Sequence, residues 1–340
     1  MTPINARNLQ FLEEQLAGLE KAKILAPVED QVRLQQQIKE KKEEIDRYKR
    51  EYPQADRLNA SVAQNVPPLL PYLADRDPQR DDLDAVLKKL KQQSTKRPIV
   101  CILHGDEKQC HDMFLQRLRE EILPQSLEIE RGSISKYKLR WADRKSDFCR
   151  QLEKNLLGDV NFESLGQFND HLAQIPSPVL IHSQCDTSDW QSQGIHILDS
   201  FLAFWQKWPD LAVDQVLIVC LCISYRMEKG LSFCQRYRLR SLNQKINQSL
   251  DQLSRSRTKK FDRLITTVLP KLESISCTQA LDWADVPASK FLNNDRLIPD
   301  LKQSIQLLYR QWQRDYGSDT IPMETLAEHL KKLLSLGISL

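Results

Sequence analysis

Arg97-Pro98-Ile99-Val100-Cys101-Ile102-Leu103-His104-Gly105-Asp106-Glu107-Lys108-Gln109-Cys110-His111-Asp112 is the stretch on which the reading of this chain turns. It opens with an apolar run, Ile99 to Leu103, of strand length and partly β-branched. A glycine follows at Gly105, and then Cys110, Phe114, Leu118 and Ile122 repeat every four residues, the spacing of a helix face. Strand, glycine turn and helix are the frame of a phosphate-binding P-loop. A working loop needs G-x-x-x-x-G-K-[ST], in which backbone N–H groups cradle phosphates, the lysine meets the β- and γ-phosphates and the hydroxyl holds magnesium. Counted from Gly105, the second glycine position holds Cys110, the lysine position His111 and the hydroxyl position Asp112. A carboxylate there repels phosphate. The frame is present and its chemistry is missing.

The surrounding chain fits that frame. Pro178 precedes the apolar run Val179 to Ser183, and Val213 to Ser224 is the most apolar run of all, so it is expected at the centre of a sheet. Ser133 to Trp141 alternates polar and apolar residues, as an edge strand does. Helical patterns over 145–157, 163–174 and 192–207 separate these runs, and a helix with Leu83, Val86, Leu87 and Leu90 on one face precedes the first strand, with Asp77 and Pro78 at its start. Strands alternating with helices predict an α/β fold, a parallel sheet with helices on both faces. Two more helices are expected over 231–256 and 258–268, a short strand at Ile275, a turn-rich piece from Leu281 to Asn294, and helices over 296–315 and 322–335.

Ahead of this body, Leu9, Leu12, Leu16 and Leu19 repeat at spacings of three and four, and Leu34, Ile38, Lys41, Ile45 and Tyr48 form a heptad seam after the Ala26-Pro27 break. They predict an antiparallel helical hairpin. The expected organisation is a hairpin at 1–52, a Pro-containing linker at 53–69, an α/β domain at 70–278 and a helical C-terminal region at 279–340. A narrow seam of this kind either packs on its own chain or pairs with another.

Composition narrows the class. Hydrophobic content of 41% and charged content of 28% are those of a globular protein, and 9 glycines in 340 residues disfavour a turn-rich all-β fold. A net charge of +3 gives no global attraction to nucleic acid or membrane. Eight cysteines, dispersed and without a C-x-x-C pair, argue for reduced thiols in a cytoplasmic protein and against zinc or a disulfide framework. No apolar run approaches ~18 residues, so no membrane helix is expected.

One further pattern is carried by Leu70-Pro71-Tyr72-Leu73-Ala74-Asp75-Arg76 with Gln79, by Arg97 to Val100 running into His104-Gly105-Asp106-Glu107, by Trp190, and by Ile321-Pro322-Met323-Glu324. Together these make the chain, over about 67–340, resemble the inactive STAND proteins of bacteria. STAND proteins are signalling ATPases with numerous domains, and the inactive group keeps their P-loop NTPase-like core without its nucleotide motifs. The hairpin, with Arg33-Leu34-Gln35-Gln36-Gln37-Ile38, looks like those attached to such proteins. The resemblance implies a scaffold or adaptor in signalling, plausibly in phage defence, with no active site to carry over.

Enzyme chemistry would need residues of its own. A Walker B carboxylate must end a buried strand to hold magnesium. Asp186 lies two polar residues late, and the Val216 run ends in Ser224-Tyr225-Arg226. A cysteine hydrolase could draw on His104, Cys110, His111, His182 and Cys185, but no nucleophile signature supports it. Between 226 and 263 eleven Lys and Arg (226, 229, 236, 238, 240, 245, 255, 257, 259, 260, 263) face Glu228, Asp251 and Asp262. This stretch reads first as a solvated helix face, with Tyr225, Phe233 and Tyr237 as packing residues. Its alternatives are an acidic protein partner, or phosphate contacts.

The sequence therefore predicts no enzyme, no cofactor and no metal, with a protein partner or self-association through Leu9, Leu12, Leu16, Ile38 and Ile45, nucleic acid disfavoured and no membrane. The competing reading is a nucleotide-sensing or nucleic-acid-binding module that uses the residual loop at Gly105, Cys110, His111 and Asp112, or the basic 226–263 stretch.

Overall fold

β-branched and aliphatic runs without alternation belong in a sheet covered on both faces. The computed structural model places them there. It describes residues 12, 16, 28–51, 66–92, 97–140, 148–160, 162–175, 178–187, 189, 196–212, 214–226, 232–255, 263–292 and 297–337. The chain divides into two compact units, one of Asp75–Ser274 with Pro322–Glu324, the other of Met1–Ala74, Ile275–Ile321 and Thr325–Leu340.

The first unit holds a five-stranded parallel sheet. Its strands are β1 (Ile99–Asp106), β2 (Ser135–Lys138), β3 (Val179–Asp186), β4 (Leu217–Tyr225) and β5 (Ile265–Val268), in the order β2-β3-β4-β1-β5. The most apolar strand, β4, is central as expected, with all nine residues buried. The alternating strand β2 is at an edge. Ile99, Cys101 and Leu103 point to one face with Ile218 and Cys220. That face packs on α1 (Asp77–Gln92) through Leu83 and Leu87, and on α2 (His111–Arg117), which continues through a π turn (Leu118–Ile122) into a last α-helical segment at Leu123–Leu127. Val100, Ile102, Val219 and Leu221 point to the other face. There α3 (Phe148–Val160), α4 (Leu165–Leu172), α5 (His196–Gln206) and α6 (Phe233–Arg255) supply Leu152, Phe168, Phe201, Trp205 and Ile246. Trp205 and Trp208 meet at 4.9 Å between ring centres.

Two local expectations are corrected. The helix read over 258–268 is, at its end, strand β5, because Ile265, Thr266, Thr267 and Val268 pair in parallel with Ile99 to Ile102. The turn-rich reading of Leu281 to Asn294 gives way to α7 (Cys277–Trp283), a π turn (Ala284–Ala288) and α8 (Ser289–Leu292). Pro287 sits inside the π turn, the irregular turn that tolerates it.

In the second unit, Ser276 and Gln279 form a capping box at the start of α7. β6 (Ile275–Ser276) pairs antiparallel with β7 (Thr320–Ile321). Trp283 Nε1 donates to the Leu70 carbonyl at 2.8 Å, and the Tyr309 hydroxyl donates to the Ile275 carbonyl at 2.9 Å. A further helix, α9 (Ile298–Tyr316), ends at Gly317, whose φ of 66° is the left-handed cap that glycine adopts freely. The helix Val28–Glu51 shows the heptad seam, with Ile38 and Ile45 buried among exposed neighbours. Leu12 and Leu16 are helical and half-buried. Leu9, the remainder of the first hairpin arm, residues 52–65, Trp190 and the basic run 256–262 lie outside the described residues.

Candidate functional site

The four residues at the P-loop positions gather at the C-terminal end of β1, where ligands of parallel α/β sheets bind. The turn there is short. A single 3-10 turn, Glu107–Gln109, leads to Cys110, whose φ of 54° and ψ of 55° are left-handed, and α2 begins at His111. Cys110 accepts from the backbone N–H groups of Met113 and Phe114 at 3.0 and 3.1 Å. The turn is thus closed on its own helix.

Gly105 is needed for a reason other than phosphate. After β5 the chain continues along β1: Leu269 N–H donates to the Ile102 carbonyl at 2.9 Å and Leu272 N–H to the His104 carbonyl at 2.7 Å. A Cβ on Gly105 would lie 2.7 Å from Leu272 Cβ and 2.8 Å from the Leu272 carbonyl oxygen. The glycine admits this crossing segment, which covers the end of the strand.

Two motif residues hold the corner shut. The Arg76 guanidinium is buried and donates to the Glu273 carbonyl at 2.8 Å, to Gln109 Oε1 at 3.0 Å and to the Gln109 carbonyl at 3.5 Å. Gln109 Nε2 in turn donates to Ser274 Oγ at 3.2 Å. Gln79 Nε2 donates to the Pro270 and Lys271 carbonyls, both at 3.1 Å. Asp75 and Arg76 have φ of 57° and 86°, a conformation that costs a non-glycine residue of order 1 kcal/mol and persists only when its surroundings enforce it. The bonds of Arg76 enforce it, together with a hydrogen bond from Arg117 to the Asp75 carbonyl. Burial lowers the Arg76 pKa to about 10, against the pull of Asp75.

The turn carries charges of both signs, with Lys108 on it beside three carboxylates. Asp106, Glu107 and Asp112 all lie on it, and Asp106 is paired with Lys271 at 3.4 Å. Lys271 also sits 5.6 Å from the centre of the Tyr225 ring. The Tyr225 hydroxyl donates to Asn247 Oδ1 at 2.6 Å and is 2.8 Å from His104 Nδ1. Asp186, the late Walker B candidate, sits at the exposed end of β3, and its backbone N–H donates to Asp189 Oδ2 at 2.8 Å while Asp189 N–H donates to Asp186 Oδ1 at 3.3 Å.

The buried histidines of this sheet are held in their neutral form. Burial lowers His104, His111 and His182 to about 4. The second cause is the charge of Lys271 for His104, of Arg76 for His111 and of Lys136 for His182. All three are neutral imidazoles, and His111 Nε2 has no hydrogen-bond partner among the described residues. Burial pushes the Cys222 thiol up, and contact with Cys101 does the same first for Cys220, so neither is a thiolate near neutral pH. Among the described residues no group of three His, Cys, Asp or Glu could hold a metal ion, and no helix is long and apolar enough to cross a membrane.

The predicted site residues therefore divide. Gly105, Cys110, His111 and Asp112 come together, but as a sealed corner. Arg76, Gln79, Gln109, Lys271 and Leu272, which seal it, were not read as site residues. Arg76 and Gln79 stood out only as parts of a resemblance, with no role attached. Ile38 and Ile45 share one buried seam, far along the chain from this corner.

Comparison with known proteins gives one family match and distant structural likenesses. Residues 71–223 match a family described as inactive STAND. Among solved structures, a mutant RuvB of Thermotoga maritima is similar at 10% identity, covering 76% of this chain and 69% of that one, with a TM-score of 0.29. The ORC2 protein of Aeropyrum pernix is similar at 9% identity, covering 76% and 67%, with a TM-score of 0.34. No curated protein matches significantly. Over residues 71–223, which run from the turn before α1 to strand β4 of the parallel sheet, this chain is similar to the inactive STAND family.

Proposed function

We propose that this protein is a non-enzymatic scaffold or adaptor in a bacterial signalling or defence system, built on a nucleotide-free NTPase-like domain. One observation carries this reading: the place where a P-loop would present backbone N–H groups to phosphate is filled by Arg76, Gln109 and the Leu269–Leu272 segment. Such a domain supplies a rigid platform, and its output comes through association. The hairpin is one contact element. Ile38 and Ile45 are covered within one chain, so a partner helix would add beside the half-buried Leu12 and Leu16 rather than onto a bare seam. Changing Leu16 to Asp weakens association in this reading, measured by light scattering.

The test of the platform is thermal unfolding with ATP, ADP, GTP and magnesium. A ligand that binds only the folded state adds ~2.7 kcal/mol at a hundredfold excess over its dissociation constant. The expected result is no shift with any nucleotide. A reproducible upward shift that is lost in His111→Glu refutes the reading and installs a nucleotide sensor in its place. The competing nucleic-acid reading of the 226–263 stretch has one supporting observation, the exposure of Arg236, Arg238 and Arg240 on α6.

A further inference from the structure

We draw no further inference here: the strongest candidate, the surface patch made by the exposed rings of Phe233 and Tyr237 at the start of α6, carries nothing because nothing in the structure shows what covers it.

Discussion

Replacing Gly105 with alanine distinguishes a glycine kept for phosphate from one kept for packing. The added Cβ would lie 2.7 Å from Leu272 Cβ and 2.8 Å from the Leu272 carbonyl oxygen, closer than carbon contacts allow. Neither atom is the end of a flexible side chain. Leu272 is fully buried, and its N–H is bonded to the His104 carbonyl at 2.7 Å, so relief requires moving the crossing segment off β1. Overpacking of this kind costs typically 1–3 kcal/mol, and contact with backbone places it near the top of that range. For a domain of this size 3 kcal/mol lowers the melting temperature by roughly 6–12 °C. The assay is thermal unfolding of the G105A protein beside wild type. L272A in the same chain should not rescue it, because the clashing Cβ and carbonyl both remain. G158A is the control: Gly158 lies in α3 with nothing within 4 Å of an added Cβ, so alanine there should be neutral or stabilise by up to about 1 kcal/mol. A G105A protein that melts with wild type would refute the packing argument and return Gly105 to a loop role.

Two more outcomes test the corner. Arg76→Ala leaves the Gln109 and Glu273 carbonyls without their donor and should cost about 3 kcal/mol or more in urea unfolding, with Arg76→Lys a poor rescue because one ammonium cannot span the same acceptors. Equal stability of R76A and wild type would show that the turn holds itself. The second outcome concerns acid. His104 and His111 titrate at about 4 when folded and 6.5 when unfolded, so the unfolded chain takes up protons first as pH falls. Their contribution is complete above pH 6.5 and is lost between 6.5 and 4, amounting to about 2 kcal/mol per histidine by pH 5. Urea midpoints should fall accordingly between pH 7.5 and 5, and a flat profile would mean the rings are hydrated.

The sheet was legible because burial on both faces leaves a strong mark. Ile99 to Leu103 and Leu217 to Ile223 admit no polar alternation, and the structure buries them throughout. Strand β5 was not legible. It is four residues long, half-buried, and follows a basic run that continues a helical pattern, so only its pairing with β1 defines it. The sealing of the corner was invisible for a related reason. Arg76 reaches acceptors 33 and 197 residues away, and no local period reports a contact of that separation. What could be read was the negative half, the absence of lysine and hydroxyl after Gly105. The exposed rings of α6 were misread because Phe and Tyr in a helix are packing residues by default, and nothing local shows that a helix outruns its body.

The corner's polarity is the reverse of that of a working P-loop. A working P-loop turns N–H donors toward an anion, and release of that anion is what lets it switch. Here the same corner turns carbonyl oxygens, Gln109 and Glu273, toward a guanidinium that belongs to the chain itself. A guanidinium attached to the chain is not released as a nucleotide is, so the proposed scaffold reading expects no nucleotide-driven switch at this corner. A ligand shifts an equilibrium only by its differential affinity for two states. In the scaffold reading proposed above, output is therefore sought at the protein's surfaces and not at a nucleotide site.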